Sequence, residues 1–160
     1  MISAETPDWS RERGTGWNPG RALLASIRDY QCAAGRSGPF ARFTKLRAIA
    51  RHRFWSAVSG ADIPLVSKIG GGLMMPHPNG IVIHPDAVIG PNCMILQQVT
   101  LAIKDGGAPH IGGHVDIGAG AKLLGPLHIG AHATIGANAV VLCDVPEGAT
   151  AVGIPARIIG

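Results

Sequence analysis

"IGGHVDIGAGAKLLGPLHIGAHATIGANAVV", residues 111–141, keeps time in sixes. An aliphatic side chain returns at Ile111, Ile117, Leu123, Ile129, Ile135 and Val141, and glycine follows four of them at Gly112, Gly118, Gly130 and Gly136. Four residues after the aliphatics stand small or branched side chains: Val115, Ala121, Leu127, Ala133 and Ala139. A period of six fits neither the roughly 3.6 residues of a helical turn nor the two-residue alternation of a simple strand. It predicts a mainly β fold, a parallel β-helix in which each hexad forms one short flat side and three hexads close a triangular coil. The aliphatics point inward and stack coil on coil, small residues fill the corners, and glycine permits the tight turn.

The same register runs earlier through Ile83, Ile89, Ile95 and Leu101, and before that through Ile63, Ile69 and Met75. It breaks twice. Two extra residues fall between Met75 and Ile83, around "PHPNG" (76–80), and four between Leu101 and Ile111, in "AIKDGGAPH" (102–110). Extra residues cannot fit inside a tightly stacked coil, so both segments must bulge outward. Loops on a rigid scaffold are where sites are usually built.

The first sixty residues read differently. "NPGRALLASIRDYQCAAG" (18–35) predicts a helix with Asn18 as N-cap, Pro19 at the first helical position and Gly35 as stop. "SGPFARFTKLRAIARHRFWSAVSG" (37–60) predicts a second, with Phe40, Phe43, Leu46 and Ile49 at helical spacing. Such helices would cap the open first coil against strand addition. The expected organisation is a disordered segment 1–17, a small α-helical region 18–60 and the β-helix 61–160.

Composition agrees. Aromatics are only 4% of 160 residues, while 23 glycines and 12 prolines suit many short strands and turns. The net charge is +4, and eight Lys or Arg lie from Arg21 to Arg53. A solvated helical face explains them, since no aromatic-basic motif for nucleic acid appears. Three widely spaced cysteines imply neither a disulfide framework nor a zinc knuckle. The polar N-terminus has no apolar signal core, and no run is long enough to span a bilayer. A cytoplasmic protein with no membrane span and no nucleic-acid partner is the expectation.

His77 stands between Pro76 and Pro78 and just ahead of Asn79-Gly80, which holds one imidazole on a stiff loop. At eighteen residues per coil, Asp62 falls one coil below Gly80, at the foot of that bulge. A carboxylate that accepts from one ring nitrogen leaves the other free as a general base. Spacing alone equally allows a His77 that decorates a turn and an Asp62 that caps a corner.

Asp62-Ile63, "KIGGGLMMPHPNGIVI" (68–83), "ILQQVTL" (95–101), "IGAGAKLLG" (117–125) and "GIPARIIG" (153–160) together resemble the serine acetyltransferases. These are left-handed β-helix enzymes of the hexapeptide acyltransferase superfamily. The resemblance covers roughly residues 61–160. It implies that His77 is the general base deprotonating an acceptor hydroxyl and that Asp62 orients it. It also implies acetyl-CoA as cosubstrate, in a groove between subunits of a trimer, with Ala119 and Ala137 beside the pantetheine arm.

Departures concern the acceptor. The family's acidic residue before the base is Pro76 here, and its extruded loop, which carries an Arg-His pair, is two residues shorter. His110 is one candidate for that histidine, whereas gap-free alignment puts Ala108 there. Lys104, Asp105 and His110 are the candidate acceptor-binding residues. The family's sulfhydrylase-docking tail is expected to be absent.

The resulting expectation is an acetyl-CoA-dependent O-acetyltransferase acting on a small-molecule hydroxyl, serine first and an exopolysaccharide sugar second. It would assemble as a homotrimer or a multiple of three. A metal-dependent hydratase of carbonic anhydrase type is the less favoured reading. His114 and His132, like His110 and His128, are eighteen residues apart and should stack, yet their spacing does not reproduce that ligand set, so no metal is expected. A non-catalytic scaffold presenting basic helices is the remaining alternative.

Overall fold

The computed structural model describes residues 2–159. Two helices come first, α1 (Pro19–Ala34) and α2 (Pro39–Ser59), and short strands wind upward from them. Face A stacks β1 (Lys68–Ile69), β3 (Val88–Ile89), β6 (His110–Ile111) and β9 (His128–Ile129). Face B stacks β2 (Val82–Ile83), β5 (Thr100–Ala102), β8 (Lys122–Leu124) and β11 (Val140–Val141). Face C stacks β4 (Met94–Ile95), β7 (Asp116–Ile117), β10 (Thr134–Ile135) and β12 (Thr150–Gly153), closed by antiparallel β13 (Ala156–Ile159). The chain visits A, C, B in rotation, and every pairing between coils is parallel. This is the expected β-helix.

The six-residue pattern sets its core. Ile83, Leu101, Leu123 and Val141 are in register up face B, and all are buried. Ile89, Ile111 and Ile129 do the same on face A, and Ile95, Ile117 and Ile135 on face C. Truncating any one isoleucine or leucine of these columns to alanine should cost about 2–5 kcal/mol. The glycines after the aliphatics serve close approach rather than turning: a Cβ on Gly90 would sit 2.5 Å from the Gly112 carbonyl carbon. The turn itself falls three residues after the aliphatic, where Asn92, Gln98, His114, His132 and Asn138 adopt φ of 53–61°.

The first coil is capped. α1 begins where Asn18 Oδ1 accepts from the Arg21 N–H at 2.9 Å, and it buries Leu23, Leu24 and Ile27 against Ile63, Ile69, Leu73 and Met75. Its side chains satisfy carbonyls that the first coil would otherwise leave open. Arg28 donates to the Ile69 and Gly70 oxygens at 2.6 and 2.7 Å, and Gln31 to those of Leu65 and Ser67. His52 of α2 donates to the Ile63 oxygen at 2.8 Å. The capping is therefore mainly the work of α1. Of α2, only Ala48 and Ser59 are buried, and its phenylalanines face away from the coil.

Residues 2–17, expected to be disordered, follow a defined path down the edge between faces A and C. Asn92 holds them there. Its Oδ1 accepts from the Asp8 N–H at 2.7 Å, and its Nδ2 donates to the Ser3 and Thr6 oxygens, both at 2.8 Å. Below it, a short 3-10 turn, Trp9–Glu12, seats Trp9 over Gly71. The Glu12 carboxylate accepts from the Gly72 and Leu73 N–H groups and pairs with Arg28. Composition misses this order because one buried asparagine and two bare glycines, sixty to a hundred residues away, supply it.

Candidate functional site

The edge between faces C and B is built differently. At its foot the chain leaves Met75 and bulges through Pro76, His77, Pro78 and Asn79 before re-entering at Ile81. Gly80 N–H donates to the Gly60 oxygen at 2.8 Å, and the Asn79 side chain lies over Gly60, where a Cβ would meet its nitrogen at 2.6 Å. Gly60 is also the left-handed stop of α2, with φ of 67°. The helix end, the bulge and Asp62 thus share one corner.

The extra residues shift the register. Asp62 bridges Val82, not Gly80, because the inserted pair lengthens that coil to twenty residues. Asp62 and His77 are both exposed. Among the described residues no hydrogen bond or ion pair joins them, and neither side chain has another such partner. Catalytic hydrogen bonds are often loose before substrate binds and tighten in the complex.

Above the bulge the edge continues as a ladder. Gln98 N–H donates to the Asn79 oxygen at 2.9 Å, Gly120 N–H to the Gln97 oxygen at 2.8 Å, and Asn138 N–H to the Ala119 oxygen at 2.8 Å. Gln97, Ala119 and Ala137 therefore stand one above another over Asn79, two residues after His77, about 4.8 Å apart per coil. Ala119 is half-buried and Ala137 exposed, and the Lys122 side chain reaches this edge, donating to the Gln98 oxygen at 2.6 Å. Gln97 had no expected role. Its position two residues after Ile95 was countable from the hexads, but its Oε1, buried without a partner, was not foreseeable.

The candidate acceptor-binding residues lie elsewhere. The extruded loop leaves face B after β5 and re-enters face A at β6, on the edge between those faces. It folds as a tight hairpin: Lys104 and Gly107 bridge, and Asp105 and Gly106 take φ of 51° and 80°. Lys104 Nζ donates to its neighbour Asp105 at 2.6 Å, so the two charges pair with each other. His110 is exposed on face A, its ring stacked on His128 at 5.6 Å, while Ala108 packs against the core. In one chain, neither the loop nor His110 shares the edge of His77.

The second histidine pair sits on the remaining edge. His114 and His132 hold their Nδ1 atoms 2.8 Å apart, so one donates while the other accepts. Among the described residues, no three His, Cys, Asp or Glu side chains converge as a metal would require. Nor is any helix long and apolar enough to cross a membrane.

The resemblance read from the sequence extends to known proteins. No protein-family model matches the chain. Over 117 residues it is 49% identical to serine acetyltransferase 5 of Arabidopsis thaliana, covering 71% of this chain and 38% of that protein. Over 103 residues it is 50% identical to the Escherichia coli K12 serine acetyltransferase, covering 62% and 38%. The soybean serine acetyltransferase apoenzyme superposes with a TM-score of 0.74 at 39% identity, over 88% of this chain and 57% of that one. A serine acetyltransferase solved in complex with CoA gives 0.75 at 39%, over 89% and 58%.

The chain is similar to serine acetyltransferases. The expected left-handed β-helix with a small helical start is the architecture they share with it. The chain spans less than half the length of the curated relatives and somewhat more than half that of the solved ones.

Proposed function

We propose that this chain is an acetyl-CoA-dependent O-acetyltransferase and that the edge between faces C and B is its reaction site. The observation that carries the reading is the single ladder on which the His77 bulge, Ala119 and Ala137 are stacked. An acyl-pantetheine arm laid along that column brings its thioester down to His77, and larger side chains at the two alanines would block it. His77 takes the proton of the acceptor hydroxyl as the oxygen attacks the thioester carbonyl. The C–S bond breaks, and the proton passes from the imidazolium to the departing CoA sulfur. Asp62 turns to the ring and stabilises its charged form. A positioned base contributes about 10²–10⁴-fold, and alignment of the two substrates contributes more.

Serine is the acceptor this reading prefers, because the resemblance lies with enzymes of that name and one solved relative is a complex with serine. A serine zwitterion needs a partner for each charge. Beside His77 stands Pro76, and the Lys104–Asp105 hairpin is on another edge of the same chain. The hairpin of a second copy can supply the pairing, which is the physical case for a trimer or a multiple of three. The absence of a charged neighbour at Pro76 favours a sugar hydroxyl as the second reading.

Acetyl-CoA consumption assayed across serine, homoserine and a set of sugars, beside light scattering of the same sample, tests this. The expected result is a kcat/KM highest for serine and a mass that is a multiple of three chains. A higher kcat/KM for any sugar replaces the acceptor and leaves the His77 chemistry standing. No consumption with any acceptor removes the enzymatic reading.

A further inference from the structure

The two helices are amphipathic in opposite senses. α1 turns its large apolar residues to the coil, as a capping helix should. α2 turns them outward. Phe40, Phe43, Leu46 and Phe54 are 80%, 66%, 61% and 56% exposed, and Val58 shares their side of the helix. The opposite side, against α1, presents Ala41, Thr44, Ala48, His52 and Ser59, all smaller or more polar. At about 100° per residue the exposed apolar side chains form one stripe along the length of α2. Trp17, 75% exposed, extends it through Trp55, with ring centres 5.3 Å apart.

Charge identifies the occupant. α2 contains Arg42, Lys45, Arg47, Arg51 and Arg53 and no acidic residue. Arg42 and Arg53 flank the stripe on one side, and Arg47 and Arg51 on the other. Arg47 and Arg51 lean on Asp29 of α1, whereas Arg42 and Arg53 are exposed and have no salt bridge among the described residues. An apolar stripe edged by arginines is the pattern of a helix that lies in a membrane interface, its rings in the acyl boundary and its guanidinium groups among anionic headgroups. A second copy of the same face would set arginine against arginine. We propose that α2 is an interfacial helix that docks the protein, without spanning, on an anionic bilayer. Its C-terminal stop, Gly60, lies under the His77 bulge, so docking sets the foot of the proposed reaction edge near the lipid surface.

The test is cosedimentation of the whole protein with vesicles of phosphatidylcholine alone or with about 30 mol% phosphatidylglycerol. The expected bound fraction is about tenfold higher on the anionic vesicles and falls when salt is raised. The triple variant F43D/L46D/F54D should lose binding on both vesicles, and R42E/R53E should lose only the anionic preference. All five side chains are exposed, so far-UV circular dichroism and the thermal midpoint should be unchanged, which separates lost docking from lost folding. Equal binding by wild type and F43D/L46D/F54D overturns the proposal. So does no binding by wild type, including the case where the aspartates instead lower the mass in light scattering, which would make the stripe a contact between copies. Neither result depends on acetyl transfer.

Discussion

Two edges of one prism are built from the same hexads and finish differently. Between faces A and C, the corner positions Gly71, Gly113 and Asn92 receive the N-terminal segment, and the edge is closed. A Cβ at Gly113 would stand 1.8 Å from the Ala4 oxygen, so the strap and the coil touch backbone to backbone. Between faces C and B, the corner positions are Gln97, Ala119 and Ala137, no other segment among the described residues crosses above the bulge, and the edge is open. The repeat provides corners of one shape; what a corner does is decided by the residues two and three places after each aliphatic. An asparagine there ties a strap, a histidine pair is joined by one hydrogen bond, and a small residue leaves the corner uncovered.

The largest expected effect falls on the open edge. His77→Ala should lower kcat for acetyl transfer by about 10²–10⁴-fold. Because His77 is exposed and its side chain makes no hydrogen bond among the described residues, the thermal midpoint should barely move. Turnover within tenfold of wild type at saturating acetyl-CoA would take the general-base role away from it. Next comes Ala137→Trp, which fills the column three coils above the bulge. It should raise the acetyl-CoA KM by about tenfold, near 1.4 kcal/mol, and leave the serine KM alone. An unchanged acetyl-CoA KM would move the cosubstrate off this edge.

The closed edge should respond in stability instead. Asn92→Ala removes three hydrogen bonds from a side chain that is 1% exposed, and it places alanine at a φ of 61°. At roughly 1 kcal/mol per bond plus the left-handed strain, the cost is about 3–4 kcal/mol. Denaturant melting should show it, amide exchange should quicken at residues 3–8, and turnover should stay within about twofold of wild type. A large fall in kcat in this variant would mean that the two edges are coupled.

How much of this was legible follows from the range over which each signal acts. The coil was read from Ile111, Ile117 and Leu123, because a buried column forces the same chemistry at every sixth residue. Both bulges were read from breaks in that clock. The pairing of Asp62 was misjudged by two residues because the inserted Pro-His-Pro-Asn segment lengthens its own coil to twenty. The helix α2 was legible, but not which way it faces, because Phe40, Phe43 and Leu46 have helical spacing in either orientation, and spacing does not say what lies on the other side. The strap was illegible because Ser3, Thr6 and Asp8 contribute only backbone atoms to it. Those atoms carry no residue signature. Asn92 was visible in the sequence, yet it stands where any hexad turns, and only its three bonds distinguish it from Asn138.

Cys93 sharpens the comparison at the smallest scale. It follows Asn92 into the coil, is fully buried, and its Sγ donates to the Gly112 oxygen at 3.2 Å. Burial raises its thiol to about 11, from an ordinary 9.0. The thiolate is the reactive form, so an aromatic disulfide reagent near neutral pH should titrate Cys32 and Cys143, which are exposed, and leave Cys93 alone. A thiol whose proton is held more tightly in the folded state adds stability below its unfolded value. That contribution is lost as pH rises from 9.0 through about 11. The same titration in Asn92→Ala asks what the strap protects. If the strap only lies on a finished coil, two thiols react as before and Cys93 stays silent. If a third reacts at a rate matching amide exchange in the coil, the N-terminal segment holds the prism shut along that edge, and the closed edge is structural.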